Sequence, residues 1–269
     1  MGKLNKGTRD INVLQHNRMA WNKYAEKGES DWVLPVSHTD VENARQGQMI
    51  LQVTPRKFVP ESWLPDLNGC ETLCLASGGG QQAPLLAAAG ARVTVFDNSP
   101  RQLETDMQVA KREDLDIKTV QGDMSDLSLF SDGNFSLIIH PVSNVFVPDV
   151  KPVWREAARV LITGGILIAG FTNPVVYLFD DDMMKQGQLV VTHKIPYSPF
   201  NDDARAETEA ALKAGSAFEF GHTLQDQIGG QINAGFAITG FYEDCNRDNV
   251  RSVLDEHMPI YNATRAIKQ

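Results

Sequence analysis

The sequence predicts an α/β protein organised around a mostly parallel sheet. Three observations carry this. From Glu71 onward, short apolar runs rich in β-formers alternate with helical patterns, the signature of βαβ units. Three successive glycines, Gly78, Gly79 and Gly80, stand where the first of these runs ends. The 269 residues, 42% hydrophobic and 22% charged, suffice for a large core without disulfides or metal staples.

The first 70 residues read as helical and punctuated. Residues 13–27 carry Val13, Leu14, Met19, Trp21 and Tyr24 on a ragged apolar face. Thr39 and Glu42 have capping-box spacing for a second helix to about residue 51. Pro55, Pro60 and Pro65 then break the chain before the Asn68–Gly69 turn. Strands are predicted at 72–76, 92–96, 117–120, 135–139 and 166–171, with helices at 83–89, 100–112 and 150–161 between them. Pro100 suits a first helical turn, and Gly164–Gly165 read as a helix stop. Residues 174–216 are irregular, with a β-like run at 188–192. A helix at 223–234, a sixth strand at 237–242 and a seventh at 259–267 complete the chain. The organisation expected is a helical cap over 1–66, a core over 67–172, a substrate-side insertion over 173–222, and a return to the core over 223–269.

Charge and cysteine usage narrow the function. A net charge of −9, with no Lys/Arg run, is a poor match to a phosphate backbone and makes nucleic acid an unlikely partner. Cys70, Cys74 and Cys245 lack zinc spacing and read as reduced cytoplasmic thiols. The N-terminal decapeptide has no apolar leader region, and Lys6 stands where myristoylation needs Ser or Thr. The apolar stretch 161–171 is too short to span a bilayer. A protein of the cytoplasm, without membrane or metal, is expected. Consecutive Asp180, Asp181 and Asp182 read as a solvated charge run.

In an open parallel sheet, ligands bind beyond the carboxyl ends of the strands. The first exit carries Ala76, Ser77, Gly78, Gly79, Gly80 and Gln82, where backbone can approach a ligand closely and helix N–H groups face it. Asp97 closes the second strand, 17 residues after Gly80, where a carboxylate can accept ribose hydroxyls. Asp123 and Met124 follow the third strand and can meet an adenine edge; His140 and Asn144 follow the fourth. The spacing of Gly78, Gly80 and Ala83 also matches the dinucleotide fingerprint. On these elements alone, an NAD enzyme and a nucleoside-binding enzyme both stand.

Together these segments resemble the class I S-adenosylmethionine-dependent methyltransferases. Residues 73–80 are similar to motif I, 95–100 to the second-strand segment, 121–124 to the adenine loop, and 154–167 to the following helix and fifth strand. The resemblance implies a Rossmann-like seven-stranded sheet with helices on both faces and an antiparallel last strand, an ending that NAD Rossmann proteins lack. It implies S-adenosylmethionine as cofactor and S-adenosylhomocysteine as product. Ala76, Ser77, Gly78, Gly79, Gly80 and Gln82 would follow the methionine moiety and ribose. Asp97 would hold the ribose hydroxyls, with Asn98 beside the adenine. Asp123 and Met124 would contact the adenine edge, and His140 would lie near the sulfonium. The sequence departs from the family at Cys74, where Asp or Glu is usual, and at Ala76, where Gly is usual.

The expected reaction is in-line attack on the sulfonium methyl, in which alignment alone supplies ~7–11 kcal/mol in favourable cases. His140, Tyr24 and His222 are candidates for a general base, needed only where the nucleophile starts protonated. Trp21 and Tyr24, one helical turn apart, and Asn144 are candidate acceptor contacts. Aromatic residues of the insertion, among them Tyr177, Tyr197 and Phe218, suit an apolar or aromatic small-molecule acceptor. A protein or RNA methyltransferase and a non-methylating S-adenosylmethionine binder are the alternatives.

Overall fold

In the computed structural model, residues 11–28 and 30–269 are described; the N-terminal decapeptide, with its leader and lipidation expectations, lies outside them. Seven strands, β1 (Glu71–Leu75), β2 (Arg92–Asp97), β3 (Ile117–Gln121), β4 (Phe135–His140), β5 (Leu161–Thr172), β6 (Phe236–Asp244) and β7 (Tyr261–Lys268), form one sheet in the order β3-β2-β1-β4-β5-β7-β6. β7 runs antiparallel to both neighbours, and the other six strands run parallel. Strand alternation divides the core in two. Leu73, Leu75, Leu167 and Ala169 face Trp154 and Ala157 of α5 (Lys151–Val160). Cys74, Ile166 and Ile168 face Ala83 and Leu86 of α3 (Gln82–Ala88) on the opposite side. A sheet covered on both faces explains why these strands read as continuous apolar runs.

The remaining helices are α1 (Val13–Lys27), α2 (His38–Arg45), α4 (Pro100–Glu113), α6 (Asp181–Lys185), α7 (Arg205–Ala214) and α8 (Gly230–Asn233). α1 has the expected bounds. α2 starts earlier than Thr39 and ends at Arg45, because the capping box is made by Ser37 and Asp40. α5 passes into β5 without a loop: Gly164, with φ +80°, lies inside the strand rather than ending a helix. The expected helix at 223–234 is a π-helical turn, Gln225–Gly229, followed by α8. Trp154 Nε1 donates to the Asp226 carbonyl at 3.0 Å, and a Cβ at Gly230 would lie 2.7 Å from Trp154 Cδ1. The indole both diverts a carbonyl from the ladder and demands glycine beneath it.

Two features of the insertion were not expected. Residues 205–214 form α7, and the run 188–192 contributes a single bridge, Val191 to Phe179. The Asp180 carboxylate caps α6, while Asp181 and Asp182 pair with Lys185.

The segment before β1 docks against β5 by backbone. A Cβ on Gly170 would lie 2.0 Å from the Val53 carbonyl oxygen, which accepts from Val142 N at 3.1 Å. Asp244 fixes the same segment, accepting from Thr54 Oγ1, Arg56 N and Lys57 N at 2.7–2.9 Å.

Candidate active site

A cavity opens at the carboxyl ends of β1, β2 and β3. Ala76, Ser77, Gly78, Gln82, Asp97, Asn98, Asp123 and Met124, expected from the sequence, all line it, joined by Trp21 from the substrate-side set. Ala76 holds φ +46°, a left-handed conformation rare for a residue with a Cβ. This turns the chain sharply out of β1.

Asp97 faces the cavity. Its Oδ1 accepts Ser99 N at 2.8 Å and its Oδ2 accepts Gly78 N at 3.0 Å. A carboxylate offers about four acceptor positions, so these bonds leave capacity for a ligand hydroxyl. Burial raises the Asp97 pKa, while the Ser99, Gly78 and Asn98 backbone amides pull it back. Glycine is required at 78, where a Cβ would lie 2.7 Å from Gln102 Cβ and 3.1 Å from the Asp97 carboxylate. Asp123 holds its own turn through Ser125 N at 2.9 Å. Asn98 ties the cavity to α1, accepting from Arg18 Nε and donating to the Leu14 carbonyl, each at 2.9 Å.

Gly79 and Gly80 do not line this cavity, and their amides do not face a ligand. Gly79 N donates to Asp106 Oδ2 at 2.9 Å and Gly80 N to Asp106 Oδ1 at 3.0 Å. Asp106, on α4, is fully buried, and desolvation pushes its pKa up to about 8. Cys74 is buried near enough for the Asp106 charge to act on its thiol. A carboxylate at position 74 would therefore bury a second acidic group beside Asp106, and the thiol avoids that desolvation cost. Ser77 and Gln82 are likewise engaged: Ser77 Oγ donates to Gln82 Oε1 at 2.8 Å, and Gln82 Nε2 donates to the Gln52 carbonyl at 3.0 Å.

His140, Asn144 and His222 line neither this cavity nor the next. His140 is fully buried, with Nδ1 2.8 Å from the Leu75 carbonyl and Nε2 2.7 Å from the Asn144 amide. Burial lowers its pKa. Both ring nitrogens thus face acceptor oxygens, the Leu75 carbonyl and Asn144 Oδ1, and the one proton of the neutral ring serves one of them. Asn144 bonds onward to Gln227, whose carbonyl accepts from Gln231, and Gln231 accepts from Thr264. This polar chain ties β1 and β4 to β7. His222, buried and lowered in pKa by burial, contacts the Asn144 carbonyl at 3.0 Å. These three residues lie in the buried layer behind the cavity walls.

A second cavity adjoins the first, sharing Trp21, Trp32, Val142 and Phe146 as a common wall. Tyr24, Tyr177, Glu219 and Tyr261 also line it. The Trp21 ring meets Tyr24 edge-on at 5.4 Å and Phe146 at 5.1 Å. The Tyr24 hydroxyl accepts from Ala217 N at 3.1 Å. Glu219 lies between Phe218 and Phe220 on an extended segment whose two aromatic side chains are buried, so its carboxylate turns to the cavity.

Gln102, Asp106, Trp32 and Glu219 were not singled out in the sequence. Gln102 and Asp106 lie one helical turn apart on α4 and address the same loop, a spacing that does signal them. The Phe218–Glu219–Phe220 alternation signals Glu219 in the same way.

A family model for a methyltransferase domain matches residues 73–169. The chain is 50% identical over 256 residues, 95% of its length and 98% of the other, to an uncharacterized methyltransferase, YbaJ, of Bacillus subtilis. It is 33% identical over 122 residues, 45% of this chain and 40% of that protein, to a sarcosine/dimethylglycine N-methyltransferase of Halorhodospira halochloris. Among solved structures, an S-adenosylmethionine-dependent methyltransferase from Mesorhizobium loti shares the fold with a TM-score of 0.58 at 18% identity, covering 77% of this chain and 94% of that one. The chain belongs to the class I S-adenosylmethionine-dependent methyltransferase family and is a methyltransferase. The family implies S-adenosylmethionine as cofactor. No described helix is long and apolar enough to cross a membrane.

Proposed function

We propose that the enzyme methylates a small-molecule acceptor held in the second cavity, with the cofactor in the first. The observation that carries this is the wall of Trp21, Trp32, Val142 and Phe146 common to both cavities. The first cavity suits the cofactor: Gln102 Oε1 is buried on its wall without a hydrogen-bond partner, an acceptor waiting for a donor. When bound, S-adenosylmethionine supplies an electrophilic methyl group on a sulfonium. In this reading Asp97 accepts the ribose hydroxyls, Asp123 and Met124 meet the adenine, and Gly78 lets the chain approach closely. The roles that sequence reasoning gave to His140 and His222 pass to support of the strand ends. Trp21 and Phe146 exclude water at the shared wall, and the ordered acceptor gains its rate from alignment. The −9 charge supports a small molecule over nucleic acid. The 33% identity, over 122 residues, to a sarcosine/dimethylglycine N-methyltransferase supports it too. Three free thiols fit a reducing cytoplasm.

Calorimetric titration with S-adenosylhomocysteine, with NAD+ as control, tests the cofactor site. Micromolar binding of the first and none of the second is expected. Two charge-assisted hydrogen bonds lost in Asp97→Ala, about 3 kcal/mol together, weaken binding roughly 100-fold. Unchanged affinity in that variant, or binding of NAD+ instead, refutes the assignment.

A further inference from the structure

Among the described residues, no cation neutralises Glu219. Its Oε2 accepts the Tyr177 hydroxyl at 2.7 Å, and among the described residues no Lys, Arg or His pairs with it. The second cavity is lined by Trp21, Tyr24, Trp32, Phe146, Tyr177 and Tyr261, by the carboxylates Asp181 and Glu219, and by no basic side chain. Asp181 is engaged by Lys185 at 2.6 Å, which leaves Glu219 as the unmatched charge. The position of Glu219 is built, not incidental. Tyr177 stacks on Tyr197 at 5.3 Å, and a Cβ at Gly221 would lie 2.8 Å from the Tyr177 ring, so glycine two residues past Glu219 lets the ring lie flat beside it. Aromatic faces and an unpaired carboxylate together favour a positive charge, which gains cation–π attraction and a charge-assisted hydrogen bond. An uncharged acceptor gains neither, and an anionic one is repelled.

We infer that the second cavity is a recognition site for a small protonated amine, with Glu219 as the carboxylate that receives its ammonium group. This rests on the reading of that cavity as the acceptor site. The ammonium of a primary, secondary or tertiary amine has no free electron pair. Transfer of one N–H proton to the open oxygen of Glu219 leaves the bonding pair on nitrogen as a neutral nucleophile, and the carboxylate becomes a carboxylic acid. Tyr177, which donates to the other oxygen, holds the carboxylate in place without competing for that proton. Glu219 is thus assigned to binding and deprotonation, the task for which Tyr24, His140 and His222 were considered.

The test is equilibrium binding, followed by tryptophan fluorescence of Trp21 and Trp32, with phenethylamine and its uncharged counterpart 2-phenylethanol as probes. Each titration is run with and without S-adenosylhomocysteine. The expected result is at least 10-fold tighter binding of the amine, and loss of that preference in Glu219→Gln with S-adenosylhomocysteine affinity unchanged. Tyr177→Phe keeps the carboxylate and the ring, and the amine preference persists in it. This second variant also serves if Glu219→Gln does not fold. Equal binding of amine and alcohol by the wild-type protein or by Tyr177→Phe, or a preference that survives Glu219→Gln, overturns the inference. S-adenosylhomocysteine that fails to bind, with the amine preference intact, overturns the cofactor assignment instead.

Discussion

Asp106 offers the sharpest quantitative test. Its two oxygens accept Gly79 N and Gly80 N, and it is shut away from water near Asp97, whose like charge adds to desolvation. Replacing it by Asn removes one acceptor and turns an amide NH2 towards a glycine N–H. An unsatisfied buried donor costs about 1–3 kcal/mol at every pH. The titration adds a term that depends on pH. The folded-state pKa is raised, to about 8, above an ordinary carboxyl value near 3.8. The folded protein therefore keeps a proton that the unfolded chain has released. That stabilising contribution is complete below about pH 4 and is lost as pH rises towards 8. At 1.36 kcal/mol per pH unit it amounts to roughly 4 kcal/mol between pH 5 and pH 8. Urea unfolding of wild type and Asp106→Asn across that range is the assay. The difference between them should swing by about that amount in favour of the variant as pH rises. Parallel curves would show that Asp106 is ionised in the fold, with its two amides outweighing desolvation, and would refute the reasoning.

Three further substitutions follow from the same geometry. Cys74→Asp, which brings a second carboxyl beside Asp106, should destabilise by about 3 kcal/mol or more at neutral pH, read by urea unfolding. Gly170→Ala should cost more than about 2 kcal/mol, because the added methyl meets the Val53 carbonyl at 2.0 Å; protease sensitivity of residues 52–57 reports the detachment. His140→Phe should cost about 2–4 kcal/mol by stranding the Leu75 carbonyl and the Asn144 amide, with calorimetry checking that S-adenosylhomocysteine affinity falls by less than 10-fold.

What the sequence made legible is what local periodicity determines. All seven strands and the helices α1, α3, α4 and α5 follow from apolar runs and their breakers, because a sheet buried on both faces writes itself as continuous hydrophobic stretches. Ends were less legible. Ser37–Asp40 and Thr39–Glu42 both satisfy a capping pattern, and only packing selects the first. Gly164 reads as a helix stop yet lies inside β5. In the site, cavity-lining residues at strand exits were readable from the rule that ligands sit there. The partners of Gly79 and Gly80 were not, because Asp106 is 26 residues beyond Gly80 and the contact exists only in three dimensions. The surroundings of His140 were hidden for a related reason. A polar residue at a strand end points to the ligand side or into the supporting layer, and Gln227, which holds Asn144 beneath the ring, lies 83 residues beyond Asn144.

The way α1 is held bears on how ligands come and go. Of its residues only Asn17 and Ala20 are buried, and its anchors are polar: Asn17 to the Phe146 and Phe218 carbonyls, Arg18 and the Leu14 carbonyl to Asn98, and Asn22 to Ser99. Lifting such a helix would exchange these hydrogen bonds for water and would also strip the Trp21 ring from Phe146 and the His16 ring from Phe218. Release of α1 is thus a mixed polar and apolar event, and it would lay open the wall that the two cavities have in common.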